Sequence, residues 1–364
     1  MLYTYRYIDH PINQLHENLC YFFERLFELE PNPYDQEQLL RDEFVALVKS
    51  SGKFIGYFRE IAEKFTVLEA VDKANIKTAY YNHLNIEQIC EDITVNVFKY
   101  ETITNIEFRR ILKEFLTWLW EDYSDLPKAL RTMYGDLQSH FNAFKQVQVG
   151  KVCPFCGIHT LKPKTDRRKR NAYDHYIPKG KYPFVSVNFK NLFPACHECN
   201  SDEKADFDTP YEDGIRKKVL YPFNEHYIGN FLTIKIEPKE FFSTVSLKTL
   251  LNDINWDIQF TDDGNSEYYE AWDNIFKIKT RYKEYINEFE DTWFENFVLG
   301  KFKKEVIDKG TSFEDYKTEL INDDKDLIFD SPLSIIRYIY FTFIFSIPEI
   351  EDRLYETVQE PRLA

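Results

Sequence analysis

The chain of 364 residues, 43% apolar and 29% charged, is long enough for two or three domains and too rich in apolar side chains to be disordered. Aromatic residues reach 17%, with 32 Phe and 25 Tyr against 11 Gly, a composition of packed helices rather than linkers. A formal net charge of −15 argues against a protein that coats nucleic acid with its whole surface.

Residues 1–148 read as a helical domain. In NQLHENLCYFFERLFELE, Leu15, Leu19, Phe22, Phe23, Leu26 and Phe27 recur at helical spacing and define one apolar face. PNPYDQ interrupts the pattern, which resumes from Asp35 to Phe65 and again in NIEFRRILKEFLTWLWEDY, residues 105–123. Cys20 and Cys90 fall on apolar helical faces and read as core. The N-terminus shows no basic-then-apolar leader pattern, so the protein is expected in the cytoplasm with its cysteines reduced or metal-bound.

The texture changes near Gly150. Short runs, Pro154, Pro163, Pro178 and Pro183, and two C-x-x-C pairs mark a compact unit over residues 149–206. From Gly150 to Lys204 there are eleven Lys/Arg and five Asp/Glu, a basic centre of +6 inside an acidic chain. That asymmetry suggests localised contact with phosphates. Residues 207–364 read as a mainly helical region with two candidate strands, 231–237 and 256–262, whose β-branched residues alternate with polar ones. The run 334–350 contains Arg337 and is shorter than the roughly 20 residues a bilayer span needs, so it reads as a buried helix and no membrane partner is expected.

Cys153, Cys156, Cys196 and Cys199 offer four soft ligands for a closed, structural Zn²⁺ site. The loop between the two pairs is 39 residues, longer than that of a plain zinc ribbon. It holds Asp174, His175 and Pro178 in YDHYIPK, then Asn191 in FKNLFPAC, while Asn200 and Lys204 follow the second pair. Hydrolysis of a phosphodiester needs a base for water, for which neutral imidazole is suited. It also needs stabilisation of charge on phosphate, for which a hard cation on oxygen ligands is suited.

In this order, D-H-x-x-P, N-L and C-x-x-C-N resemble the HNH endonuclease superfamily, over roughly residues 150–206. Lys204 stands four residues after Asn200, one more than the usual three. The resemblance implies a ββα-metal fold stapled by a four-cysteine zinc site, so the whole chain is expected to be mostly α with a small central α+β module. It implies His175 as general base, Asp174 and Asn200 on a catalytic Mg²⁺ or Mn²⁺, and Asn191 as the residue that pins the loop orienting His175. DNA with 5′-phosphate and 3′-hydroxyl products is the expected substrate. The segment KPKTDRRKR reads as a phosphate-gripping hairpin, with Arg167, Arg168, Lys169, Arg170, Lys179 and Lys204 as expected nucleic-acid contacts. Neighbouring strand residues point to opposite faces, so Asp174 and His175 are expected to meet the phosphate only at a strand end. The acidic helical flanks are expected to dock a protein partner such as an ATPase or sensor subunit, as in HNH effectors of bacterial antiphage defence. The alternatives are a zinc-stapled module that binds nucleic acid or a partner without cutting, and a restriction or mobile-element nuclease.

Overall fold

A computed structural model describes residues 1–121, 126–165, 167, 169–224, 234–240, 245–261 and 264–359. These residues are mostly helical, with small antiparallel two-stranded sheets. The chain divides into two compact units, one of Thr4–Gln148 with Lys162–His226, the other of Met1–Tyr3, Val149–Leu161 and Tyr227–Ala364.

The unit containing Thr4–Gln148 is built on α1 (Asn13–Leu29), α2 (Gly52–Thr66), α3 (Ala70–Leu84), α4 (Ile106–Glu121) and α5 (Leu137–Val147), with shorter helices between them. Leu15, Leu19, Phe22, Phe23, Leu26 and Phe27 of α1 are all buried. On α4, Phe108, Ile111, Leu112, Phe115, Leu116, Trp118 and Leu119 form the corresponding buried stripe. Helix α5 starts at a capping box, in which Asp136 accepts from the Ser139 amide and the Ser139 hydroxyl accepts from the Asp136 amide. Asp122 and Tyr123 of the expected 105–123 helix lie outside the described residues.

Downstream in the same unit, β1 (Tyr173–His175) pairs antiparallel with β2 (Leu192–Pro194), placing His175 opposite Leu192 and Asp174 opposite Phe193. Short strands β3 (Tyr211–Glu212) and β4 (Ile215–Arg216) form a hairpin. One apolar core runs from α1 through α4 to Tyr173, Phe184, Val187, Phe189 and Leu192. The Phe184 ring lies 5.0 Å from Phe23 and 5.4 Å from Tyr80, both edge-on. Phe184 holds this position at φ +66°, a left-handed conformation that disfavours a bulky side chain, so packing outweighs local preference here.

In the other unit, β5 (Ile234–Pro238) pairs with β6 (Trp256–Phe260). Residues 231–233 and 262 of the two expected strands lie outside the described residues. Helix α6 (Ile278–Trp293) and α7 (Ser334–Ile344) bury their apolar faces, and Arg337 on α7 forms an ion pair with Asp324 at 2.6 Å. The segment around the first cysteine pair belongs to this unit. Trp272 donates to the Phe155 carbonyl and Tyr282 to the Cys156 carbonyl, each at 2.8 Å. Gly157 sits at φ +67°, and a β-carbon there would lie 2.4 Å from Leu2 and 2.8 Å from Ile335. Among the described residues no helix is long and apolar enough to cross a membrane.

Phe184→Ala is expected to cost about 3–5 kcal/mol, since it opens a cavity and keeps the left-handed backbone. Urea unfolding followed by circular dichroism should show the helical signal and the near-ultraviolet aromatic signal shifting together. A shift of the aromatic signal alone would mean that the loop is not part of the helical core.

Glu290 supplies a second expectation. It is fully buried, and its carboxylate accepts from the Leu251 amide at 2.6 Å and the Asn252 amide at 3.0 Å. Burial outweighs these two bonds and raises its pKa to about 7. The folded state therefore binds this proton more tightly than the unfolded chain, whose Glu titrates near pH 4.3. Stability contributed by the protonated form is complete below the unfolded pKa and is lost as pH rises through about 7, on the order of 3 kcal/mol. Thermal unfolding of Glu290→Gln between pH 4.5 and 8 should show a flatter profile than the parent protein.

Candidate active site

The short β1 strand presents Tyr173 and His175 on one face and Asp174 on the other, as the two-residue period of a strand requires. Trp120, from the last turn of α4, meets both residues of the first face edge-on. Its ring is 4.7 Å from His175 and 6.3 Å from Tyr173. Asp174 turns instead toward Lys204.

His175 is buried, and its Nε2 lies 2.8 Å from the Ser186 carbonyl. A carbonyl can only accept, so Nε2 carries the proton and Nδ1 keeps the lone pair. Burial lowers the imidazole pKa to about 3, against the Ser186 hydrogen bond and helped by the positive charges of Lys179 and Lys204. The ring is thus neutral at cellular pH.

Asn191 is fully buried and grips the chain after β1 at three points. Its Oδ1 accepts from the Ile177 amide at 2.8 Å, while Nδ2 donates to the Ile177 carbonyl at 2.9 Å and to the Val185 carbonyl at 3.2 Å. Val185 precedes Ser186, so this amide fixes the segment whose carbonyl holds His175. The Asn191 main-chain carbonyl also accepts from the Tyr176 amide at 3.0 Å.

Asp174 and Lys204 are 5% and 1% exposed. The Lys204 ammonium donates to Asp174 Oδ1 at 3.0 Å and to the His175 carbonyl at 2.8 Å. Asp174 Oδ2 is buried and has no hydrogen-bond partner among the described residues. Burial raises the Asp174 pKa, opposed by the Lys204 charge and hydrogen bond. Lys204 closes a π-helical turn, Glu198–Lys204, wider than an α-helix. Expected among the phosphate contacts, Lys204 is instead an internal cation. The half-buried Asn200 donates its amide to the Cys196 carbonyl at 3.0 Å, and no hydrogen bond joins its side chain to Asp174 or His175 among the described residues.

The ligand atoms of Cys153, Cys156, Cys196 and Cys199 lie within 4.8 Å of one another, and all four residues are buried. They are the one group of three or more His, Cys, Asp or Glu so placed among the described residues, and their donor set suits a metal such as zinc. At the first pair, the Ile158 amide approaches Cys156 Sγ at 3.4 Å and the Gly157 amide donates to the Cys153 carbonyl at 2.7 Å. His197 is exposed beside Asp202 at 3.5 Å and is not in the group.

Lys164, Arg167, Lys169 and Arg170 line a recess of about 590 Å³ with Gln138, Thr165 and Ala172, and none of these described lining residues is acidic. Arg168 lies outside the described residues. Arg170 stacks over Tyr173 at 5.0 Å and Phe141 at 5.4 Å, tying the recess to the strand that carries Asp174. Lys179 pairs with Glu121 of α4 at 2.7 Å.

Trp120, Glu121 and the Ser186 carbonyl have no counterpart in the sequence reading. Trp120 lies beyond the buried stripe of α4 and is half-buried, with no motif around it to single it out.

No protein-family model matches the chain, and no solved structure matches it. Over 102 residues the chain is 33% identical to Protein ea31 of Escherichia phage lambda, across 28% of this chain and 29% of that protein. Over 66 residues it is 33% identical to the Septu protein PtuB of Bacillus thuringiensis, across 18% of this chain and 25% of that protein. The chain thus spans about a quarter to three tenths of the length of the curated relatives it matches.

The cysteine cluster predicts that the purified protein carries close to one zinc per chain by elemental analysis. Cys156→Ser and Cys199→Ser should each release it and lower the melting temperature. Full stability in a zinc-free preparation would be the contrary result.

Proposed function

We propose that this chain is a metal-dependent endonuclease of the HNH type, with residues 149–206 as a nuclease module of ββα-metal architecture acting on DNA. The observation that carries the reading is the buried, unpartnered Oδ2 of Asp174, next in sequence to an imidazole held in one tautomer by Ser186. A buried carboxylate oxygen with no donor beside it fits a cation. Two antiparallel strands followed by a helical turn, β1, β2 and Glu198–Lys204, are the parts such a module requires.

In this reading Asp174 Oδ2 and the side-chain oxygen of Asn200 hold Mg²⁺ or Mn²⁺. Bound there, the ion supplies positive charge to the phosphate as it becomes more negative. His175 acts through Nδ1, taking the proton of the attacking water while Nε2 stays bonded to Ser186. Its low basicity in the free protein rises when an anionic phosphate comes near, because nearby negative charge favours the imidazolium. Asn191 keeps the Ser186 carbonyl, and with it the ring, in place. Lys164, Arg167, Lys169 and Arg170, with Arg168 and Lys179, hold flanking phosphates without reading sequence. The cluster of four cysteines holds structural Zn²⁺.

The stretch in common with the Septu protein PtuB supports a role in bacterial antiphage defence. The acidic helical flanks are then the surface on which an ATPase or sensor subunit licenses the cut.

Supercoiled plasmid incubated with the purified protein should be nicked or linearised with Mg²⁺ or Mn²⁺ and left intact with EDTA. His175→Ala should reduce the rate at least about 100-fold. Equal cleavage by both proteins would sink the assignment of His175. No cleavage by the zinc-loaded, folded parent protein, alone or with its native partner, would favour a binding module.

A further inference from the structure

The sequence directs attention to Lys204 as a phosphate contact, yet its side chain is 1% exposed and its ammonium is committed to Asp174 Oδ1 and the His175 carbonyl. Two details show that it is held there. The chain reaches Lys204 through a π-helical turn and leaves it through Ala205 at φ +39°, a conformation unfavourable for a residue with a β-carbon. Its ammonium also bonds the main chain of β1, so moving it away from Asp174 would strand a buried carbonyl as well as a buried charge.

On the reading of Asp174 as a metal ligand, we propose that Lys204 is a positioning residue that competes with the divalent cation. It holds the buried carboxylate in place through Oδ1, and by like-charge repulsion it holds the metal affinity of the free protein low. The two oxygens of one carboxylate are too close for an ammonium on one to be indifferent to a dication on the other, and burial weakens the screening between them. An anionic phosphate beside the site offsets this repulsion. Metal and nucleic acid therefore raise each other's affinity, as linkage requires. Free metal alone leaves the site poorly loaded, and substrate completes it.

The test is Mn²⁺ binding, followed by calorimetry and by the electron paramagnetic resonance of free Mn²⁺. The protein is the full chain carrying His175→Ala to prevent turnover, with Asp174→Asn marking binding elsewhere. Lys204→Met should bind Mn²⁺ at least about tenfold more tightly in the absence of DNA. A phosphorothioate oligonucleotide should tighten binding by a similar factor with Lys204 present and by much less with Lys204→Met. Unchanged or weaker binding by a folded, zinc-loaded Lys204→Met protein overturns the inference and leaves the metal site standing. If that variant does not fold, the comparison with and without oligonucleotide in the Lys204 protein decides, and equal affinities overturn the proposal. Absence of any Mn²⁺ binding that depends on Asp174, with or without DNA, removes the metal reading itself.

Discussion

The ion pair between Asp174 and Lys204 joins a three-residue strand to a helical turn 30 residues further along the chain. Each partner would be costly to bury alone, and neither can move without leaving the other uncompensated. Because the ammonium also takes the His175 carbonyl, the pair fixes the main chain at the point where the two side chains of the motif diverge. The remaining geometry is arranged around that fixed point. Asp174 presents its second oxygen on one face, and His175 lies against Trp120 on the other.

A strand of three residues has too little pairing of its own to hold such an arrangement. The support comes from outside the sheet. Asn191 closes the loop after β1 with main-chain-like hydrogen bonds, and Phe184 anchors the middle of that loop between Phe23 and Tyr80. His83 adds a bond from Nδ1 to the Pro183 carbonyl at 2.6 Å. These contacts reach helices about 100 positions or more earlier in the chain, so the helical part of the unit is the scaffold of the site. The many Phe residues, which in composition only signal packed helices, thereby acquire a specific use.

What was legible in the sequence is what residue type and spacing encode. The amphipathic faces of α1 and α4 follow directly from periodicity, and two C-x-x-C pairs announce a cluster because few other arrangements place four cysteines so. The D-H and N-L elements directed attention to Asp174, His175 and Asn191, three residues that all proved to be buried and drawn together around one short strand. The rest was not legible for physical reasons. The partner of His175 Nε2 is a backbone carbonyl, which every residue possesses and which therefore leaves no trace in residue type. Trp120 acts by tertiary proximity. Lys204 carries the side chain most often found at a surface, and its inward course runs through a π-helical turn that no composition rule announces.

The contact between Trp120 and His175 bears on which changes of length the chain can tolerate. Trp120 sits one residue from the end of a 16-residue helix whose apolar stripe is locked into the core by seven buried side chains. Each residue of an α-helix advances the next by about 100°. A single insertion or deletion between Phe115 and position 120 would swing the indole away from the imidazole while leaving the helix intact. The number of residues that separates Trp120 from the buried positions Phe108 to Phe115 is therefore as constrained as their apolar character. In this protein the helix works as a measured spacer, and its length is under as much constraint as the motif it serves.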